Sequence, residues 1–309
     1  MPRIRDLSSR ELRDRLEDGK LLLATGDYVS RIRSGIDAIA VGVEAMYADY
    51  DVVDESCFAD FHVELKGPRS LRRWIRGQVL FYCDGKSPFK PLPLAQAFPM
   101  LEWGLNWCVS SHSHERLVVH AAGMERFGRA MLLPGSPGSG KSTLVAAMVL
   151  ADQWRLLSDE LVRIDPQTTL VHPLPRPISL KNQSIDVIRL RAPDAVISPI
   201  VRDTLKGTVA HVRAPRGSVE LADKPATPTW IVFPRYRRDA SLELRRVPKG
   251  DAFMRLAQNS MNYGILGERG FELLGTVVEG CECYECQYSD LAQIVPALNR
   301  LASGDQVTR

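Results

Sequence analysis

The sequence has little cysteine, and what it has is spread too thinly to build a disulfide framework. Six cysteines occur among 309 residues, whereas small proteins stapled by disulfides carry them far more densely. We therefore expect the hydrophobic core to hold the chain together and the thiols to stay reduced. A cytoplasmic location is the simplest expectation.

Long apolar runs are also missing. No run approaches the roughly 18–20 apolar residues that a membrane-spanning helix needs. The first 20 residues, MPRIRDLSSRELRDRLEDGK, carry charges throughout, where a secretory signal would have an apolar segment. We expect no membrane span.

An excess of one charge is absent too. Forty basic and 37 acidic residues leave a net charge of +3, whereas nucleic-acid-binding domains concentrate basic residues in a patch or stripe. Nucleic acid is therefore not an expected partner. The hydrophobic share of 45% and the charged share of 25% are typical of globular proteins, and the length suggests roughly two domains.

The order of predicted elements changes near residue 112. Residues 1–112 mix helical and strand patterns, among them the alternating strand FADFHVEL and the apolar stretch LPLAQAFPMLEWGLNWCVSSHS, a helix predicted to be interrupted near Pro99. This order predicts an α+β N-terminal domain, which could recognise an acceptor or partner. Residues 113–309 form the second predicted domain, of the α/β class.

The second domain begins with a predicted hairpin. ERLVVHAAGMER and RAMLLPG are β-rich runs joined at Phe127-Gly128. A glycine-rich loop, a helix over KSTLVAAMVLAD and a strand at WRLLS follow, and this order forms a βαβ-like unit. Residues 165–228, rich in Pro, Lys and Arg, have no clear assignment.

The glycine-rich loop matches the phosphate-loop pattern G-x-x-x-x-G-K-[ST] at Gly135, Gly140, Lys141 and Ser142. Glycines let successive N–H groups turn toward phosphate oxygens, and the following helix directs its positive end at the same anion. A flexible loop with an incidental lysine is the alternative, but the flanking strand and helix favour nucleotide. We expect ATP and Mg²⁺ as cofactors, with these residues around the nucleotide: Gly135, Ser136, Pro137, Gly138, Ser139, Gly140, Lys141, Ser142 and Thr143.

Two adjacent acids follow the loop. Asp159 and Glu160 lie 18 and 19 positions after Lys141, a spacing that a helix of about three turns and a strand of about five residues would fill. That places them at the carboxyl end of the strand, where open α/β sheets bind ligands. With Ser142 they are candidate Mg²⁺ ligands. The alternative is an exposed turn pair or a helix cap.

His120 is a further candidate. A hairpin centred on Phe127-Gly128 places His120 opposite Gly135, within about two residues, at the mouth of the loop. A lone histidine in an apolar strand more often serves packing, but this register favours a functional role.

In this order, the histidine strand, hairpin, phosphate loop and adjacent acids of RLLSDELV resemble the HPr kinase/phosphorylase family of bacterial serine kinases. FADFHV, LEWGLNWC, PRPISLKNQSIDVI and NYGILGERGF resemble the HPr-kinase-related group. The resemblance implies a P-loop HPr-kinase-like domain over 113–309. It also implies that Lys141 and Ser142 hold phosphate and Mg²⁺, and that a hexamer or other homo-oligomer and a phosphorylase activity could accompany the kinase.

By the same resemblance, Asp159 is the catalytic base or orienting acid, Glu160 a metal-side acid and His120 a partner of the acids. The chain departs from the family pattern at Thr143, where the family has an acid. It departs again at Glu160, where the family has a second aspartate, and at Ala121, where it has glycine.

The predicted function is transfer of the ATP γ-phosphate to a serine hydroxyl on a small protein or a precursor peptide. A small-molecule kinase, a nucleotide-dependent regulatory switch with little catalysis, and a phosphorylase running the reaction backward are the alternatives. Lys181, Arg202 and Lys206 are candidate cations for the γ-phosphate, and RDTLKGT around Lys206 reads as a mobile loop.

Three other patterns are predicted to be structural. CECYEC (281–286) offers three thiols but no four-ligand set for zinc, so we expect buried free cysteines. SHSH (111–114) reads as a linker. The arginines of LRRW (71–74) and RYRR (235–238) read as a solvated face that could alternatively dock an acidic partner.

Overall fold

A computed structural model describes residues 1–68 and 77–304; the LRRW arginines lie outside them. The described helices are α1 (Ser9–Asp18), α2 (Asp37–Met46), α3 (Ala97–His112), α4 (Lys141–Ala151), α5 (Gln183–Arg191), α6 (Arg216–Glu220), α7 (Lys249–Gln258), α8 (Tyr263–Leu266), α9 (Glu268–Gly280) and α10 (Leu291–Ser303).

The described strands are interspersed among these helices. They are β1 (Leu21–Thr25), β2 (Tyr28–Ser34), β3 (Val52–Val53), β4 (Phe61–Lys66), β5 (Gln78–Cys83), β6 (Leu92–Pro93), β7 (Leu117–Arg126), β8 (Arg129–Pro134), β9 (Arg155–Ser158), β10 (Leu161–Ile164), β11 (Val171–His172), β12 (Ile178–Lys181), β13 (Val201–Thr204), β14 (Gly207–Val212), β15 (Thr227–Tyr236), β16 (Glu243–Arg246) and β17 (Glu282–Tyr288).

The chain divides into two compact units, each with helices and sheets. The first contains residues 1–112, 176–185 and 195–220; the second contains 113–175, 186–194 and 221–309. Much of the stretch that the sequence left unassigned thus belongs to the first unit. The fold is mixed α/β. None of the described helices combines the length and apolar character that crossing a bilayer requires.

The first unit contains a six-stranded sheet in the order β3-β1-β2-β4-β5-β6 and a three-stranded sheet in the order β12-β14-β13. Strand β4 alternates as predicted, with Phe61, Val63 and Leu65 buried. Helix α3 begins at Ala97 and runs to His112. The predicted interruption at Pro99 is wrong, because Pro99 lies in the first turn, where its missing N–H has no helical acceptor to lose.

A buried polar network lies inside the first unit. The Arg176 guanidinium donates to the Glu102 carboxylate at 2.7 Å and to Asn106 Oδ1 at 2.7 Å. The Tyr47 hydroxyl donates to the other Glu102 carboxylate oxygen at 2.7 Å. Arg176 and Glu102 are 5% and 3% exposed, so the pair is a fully desolvated charge pair satisfied by neighbouring polar groups.

The second unit is built on a sheet of eight strands in the order β11-β10-β7-β8-β15-β17-β16, with β9 also paired to β7. The predicted hairpin is confirmed: Ala121 pairs with Pro134, and Arg126 with Arg129. Phe127 and Gly128 have φ of 57° and 76°, the left-handed pair that a two-residue hairpin turn requires. The predicted helix after the loop and the predicted strand at β9 are also confirmed.

One face of this sheet packs on α7 and α9. Its core cluster includes Leu117, Val119 and Leu132 from the strands and Leu256 and Leu274 from the helices, all below 1% exposure. Side chains alternate between the two faces of a strand, so neighbouring β7 residues, His120 among them, point to the opposite face. His120 therefore does not belong to the core cluster packed on α7 and α9.

Candidate functional site

The glycine-rich loop, Gly135–Gly140, joins the end of β8 to the start of α4. Gly138 and Gly140 have φ of 86° and 95°, a region that side chains disfavour. The Ser139 N–H donates to the Ser136 carbonyl at 3.3 Å. The glycines therefore let the backbone reverse sharply before the helix begins at Lys141.

The far end of the loop is held by two tyrosines. The Tyr288 hydroxyl donates to the Gly140 carbonyl at 3.2 Å, and the Tyr236 N–H donates to the Ser139 carbonyl at 3.0 Å. The two rings pack edge to face with centroids 5.9 Å apart. Burial raises the pKa of the Tyr288 hydroxyl, so this group stays protonated and keeps donating to Gly140.

The Lys141 side chain extends from the start of α4 back to the first residues of the loop. Its side chain is 7% exposed, and its ammonium donates to the Gly135 carbonyl and, at 3.1 Å, to the Ser136 carbonyl. The positive charge is thus held beside the first residues of the loop. Ser142 and Thr143, half-buried in the first turn of α4, follow it.

Where β8 ends and the loop begins, another segment pairs with β7. The His120 N–H donates to the Asn259 carbonyl at 2.7 Å, and the Met261 N–H to the Val118 carbonyl at 2.8 Å. Val119 forms an isolated antiparallel bridge with Ser260. Beyond its last pair with Pro134, β7 is therefore covered by residues 259–261.

The two acids lie in a break between β9 and β10, which follow one another along β7. Gly123 pairs with Ser158, and His120 pairs with Leu161. The Ala121 N–H donates to the Glu160 carbonyl at 3.2 Å, and Asp159 is 5% exposed. Asp159 does follow the carboxyl end of β9, but the chain continues directly into β10 in the same register along β7. The burial of Asp159 argues against the alternative of an exposed turn pair.

The register brings the candidates to one level of β7, where β8 ends and β9 passes into β10. His120 lies one residue beyond the Ala121–Pro134 pair, which is the predicted position at the mouth of the loop. Asp159 and Glu160 lie beside Ala121 and Ala122 on the other side of β7. Strands two places apart are about 10 Å apart, so the acids and the loop flank β7 at the same level.

This set of groups suits a phosphorylated ligand with a divalent cation. The first N–H groups of a helix lack intrahelical acceptors and attract anions, and Lys141 adds a cation. Mg²⁺ is usually held by one or two carboxylates, water and substrate phosphates rather than by a full protein cage. The described residues contain no group of three His, Cys, Asp or Glu side chains arranged to hold a metal.

An open pocket of about 420 Å³ lies against the loop. Its lining comes from the start of the loop, the end of β15, β17 and the end of α7. The lining residues are Pro134, Gly135, Ser136, Pro137, Gly138, Ser139, Phe233, Pro234, Arg235, Arg255, Gln258, Asn259 and Glu285. The pocket therefore borders the predicted nucleotide residues.

Other residues singled out in the sequence belong to other elements of the fold. Cys281, Cys283 and Cys286 are free and buried, and burial raises the pKa values of Cys281 and Cys286 to about 12, so they are inert core thiols as predicted. In SHSH, His112 ends α3. Lys181, Arg202 and Lys206 belong to the first unit.

The sequence prediction for the segment around Lys206 is wrong. RDTLKGT was expected to be a mobile loop, but it forms the connection between β13 and β14. Thr204 pairs with Gly207, whose φ is 83°. The Lys206 ammonium lies 4.8 Å from the centroid of the Trp103 ring.

Sequence reasoning missed the tyrosine pair behind the loop and the charged pocket beside it. Both depend on β17 and α7, which join the site only through the sheet order β8-β15-β17. No local motif marks such residues. The glycine at position 140 was the one available signal, since a required glycine implies close packing against its Cα.

No model of a known protein family matches the chain, and no curated protein matches it either. The resemblance to the HPr kinase/phosphorylase family therefore stays a prediction drawn from the motifs.

Proposed function

We propose that the chain is an ATP- and Mg²⁺-dependent serine kinase with a P-loop HPr-kinase-like second domain. The supporting observation is that the glycine-rich loop, with Lys141 after it, and the adjacent acids flank β7 at the level of His120. The proposed acceptor is a serine hydroxyl on a small protein or precursor peptide.

The residues present fit a nucleoside triphosphate with Mg²⁺. The loop contains two glycines at positive φ, its backbone donors precede a helix, and Lys141 supplies the charge that terminal phosphates need. Ser142, Asp159 and Glu160 offer the hard oxygen ligands that Mg²⁺ prefers. When bound, ATP supplies the transferable phosphoryl group.

Each side chain has a distinct task in this proposal. Lys141 neutralises charge that grows on the transferred group, and Asp159 orients the acceptor hydroxyl and takes its proton. Glu160 and Ser142 hold the cation, while His120 supports the acids from the adjacent strand. Positioning and charge neutralisation account for most of the rate in phosphoryl transfer.

Label transfer tests this proposal. The protein is incubated with γ-labelled ATP, Mg²⁺ and a lysate of its source organism, beside the Asp159→Asn variant. We expect one serine-containing protein or peptide to be labelled, and the labelling to fall at least a hundredfold in the variant, the usual scale for loss of a general base.

Asp239→Asn is the matched control. Asp239 is exposed and has a φ of 58°, which asparagine readily adopts, so labelling should be unchanged. Labelled free phosphate with no labelled macromolecule would contradict the serine kinase and favour a switch. A labelled small molecule would favour a small-molecule kinase.

A further inference from the structure

The pocket beside the glycine-rich loop borders the end of the site where terminal phosphates would lie. The Lys141 ammonium is held at the Gly135 and Ser136 carbonyls, and the lysine of such a loop reaches the β- and γ-phosphates. Gly135 and Ser136 also line the pocket. The pocket therefore adjoins the γ-phosphate, where an acceptor must approach.

The pocket also adjoins the segment that pairs with β7 beside His120. Asn259 lines it, and the Asn259 carbonyl accepts the His120 N–H at 2.7 Å. A bound segment could thus occupy the pocket while its neighbouring hydroxyl reaches past Gly135 toward the acids.

The charges in the pocket are unbalanced. Arg255 donates to Glu285 at 2.7 Å and lies 5.2 Å from the centroid of the Phe233 ring, so its charge is matched. Arg235 is exposed, and its guanidinium has no ion pair among the described residues. One positive charge is therefore available to a ligand.

We propose that this pocket is the acceptor subsite, and that it takes a polypeptide segment with an acidic side chain next to the target serine. Arg235 pairs with that acidic side chain and determines specificity. The proposal rests on the kinase function above. The serine Oγ forms a bond to the γ-phosphorus, the bond from that phosphorus to the ADP oxygen breaks, and the serine proton passes to Asp159.

Arginine suits this task because its planar guanidinium binds a carboxylate through two parallel hydrogen bonds. Of the RYRR arginines, only Arg235 lines the pocket. Arg238 is also exposed but is not among the lining residues. Comparing variants at Arg235 and Arg238 therefore distinguishes a specific contact in the pocket from a general effect of positive charge.

A library of serine peptides tests the assignment. Each peptide carries Asp, Ala or Lys at one position flanking the serine, and γ-labelled ATP reports transfer. We expect Asp peptides to be labelled at least tenfold faster than Lys peptides. Arg235→Glu should reverse this preference, Arg235→Gln should abolish it, and Arg238→Glu should retain it. Calorimetry should give the same Mg-ATP affinity for all four proteins.

Three outcomes would overturn the acceptor subsite while leaving the nucleotide site intact. They are labelling without an acidic preference, an acidic preference that survives in Arg235→Glu, and Mg-ATP binding with no peptide labelled. Failure of the protein to bind Mg-ATP would instead defeat the proposed kinase function itself.

Discussion

At the scale of single residues, Gly140 is the tightest position in the loop. Its φ is 95°, and a Cβ there would overlap the Tyr288 hydroxyl and lie 3.1 Å from Tyr236 Cβ. Gly138 has a similar φ of 86°, but a Cβ there meets no atom within 4 Å among the described residues. The two glycines thus differ in packing and share their backbone conformation.

Alanine at each glycine separates these effects. Gly138→Ala should lower the free energy of unfolding by about 1 kcal/mol through backbone strain alone. Gly140→Ala should lower it by about 1–3 kcal/mol more, because the tyrosines must shift. Urea unfolding measures both values. Equal losses would show that Tyr288 does not restrict position 140.

His211 is a buried histidine in the first unit, 1% exposed. Neither ring nitrogen has a hydrogen-bond partner among residues 1–68 and 77–304, and the ring packs edge to face on Phe98 at 5.5 Å. Burial, together with the positive charges of Arg176, Lys206 and Lys181, lowers its pKa from 6.5 to about 3. The folded protein therefore holds His211 neutral.

The pKa of His211 is lower in the folded protein than in the unfolded chain. The stability that depends on a neutral His211 is therefore fully present above pH 6.5 and is lost as the pH falls toward 3. The loss approaches about 1 kcal/mol for each pH unit. His211→Leu should be close to neutral at pH 8 and should show a flatter decline between pH 6.5 and 4. If the free energies of unfolding of the two proteins fell equally between pH 6.5 and 4, His211 would not be the source of the pH dependence.

At the scale of elements, the network of Glu102, Arg176, Asn106 and Tyr47 joins α3, the residue after α2 and the chain before β12. Glu102→Ala leaves the Arg176 charge buried without its counter-ion and should cost about 3–5 kcal/mol of unfolding free energy. Asn106→Ala removes one hydrogen bond and should cost about 1–3 kcal/mol.

The double variant Glu102→Leu, Arg176→Met supplies the control for the buried charge. It removes both charges together, so its stability should recover much of the loss caused by Glu102→Ala. Thermal unfolding of the three variants measures the difference. A double variant less stable than Glu102→Ala would show that the ion pair contributes more than the desolvation it requires.

The hairpin, the loop and helix α4 could be predicted from the sequence because their signals are local. Phe127-Gly128 specifies a two-residue turn, and the glycines followed by an apolar helix specify the connection after β8. The continuation of β9 into β10 along β7 could not be predicted. It depends on pairing with a strand more than 30 residues earlier, as Leu161 with His120 shows.

At the scale of the whole molecule, the order of strands in the sheet determines which residues form the candidate site. His120, the loop and the acids are separated in sequence, and the pairing of β7 with β8, β9 and β10 brings them to one level of the sheet. The hairpin register allowed His120 to be placed from the sequence. Arg235 and Tyr288 could not be placed, because β15 and β17 join the sheet through parallel, long-range pairing.

Every proposed role of Lys141, Ser142 and the two acids requires that nucleotide phosphates bind to the glycine-rich loop. Titration of the full chain with Mg-ATP by calorimetry measures this for the wild type, Lys141→Ala and the control Lys224→Ala, whose exposed ammonium pairs with exposed Asp223 at 3.0 Å. We predict saturable binding by the wild type and the control, and affinity at least tenfold weaker in Lys141→Ala. Absence of binding, or equal affinity in all three proteins, would contradict the account.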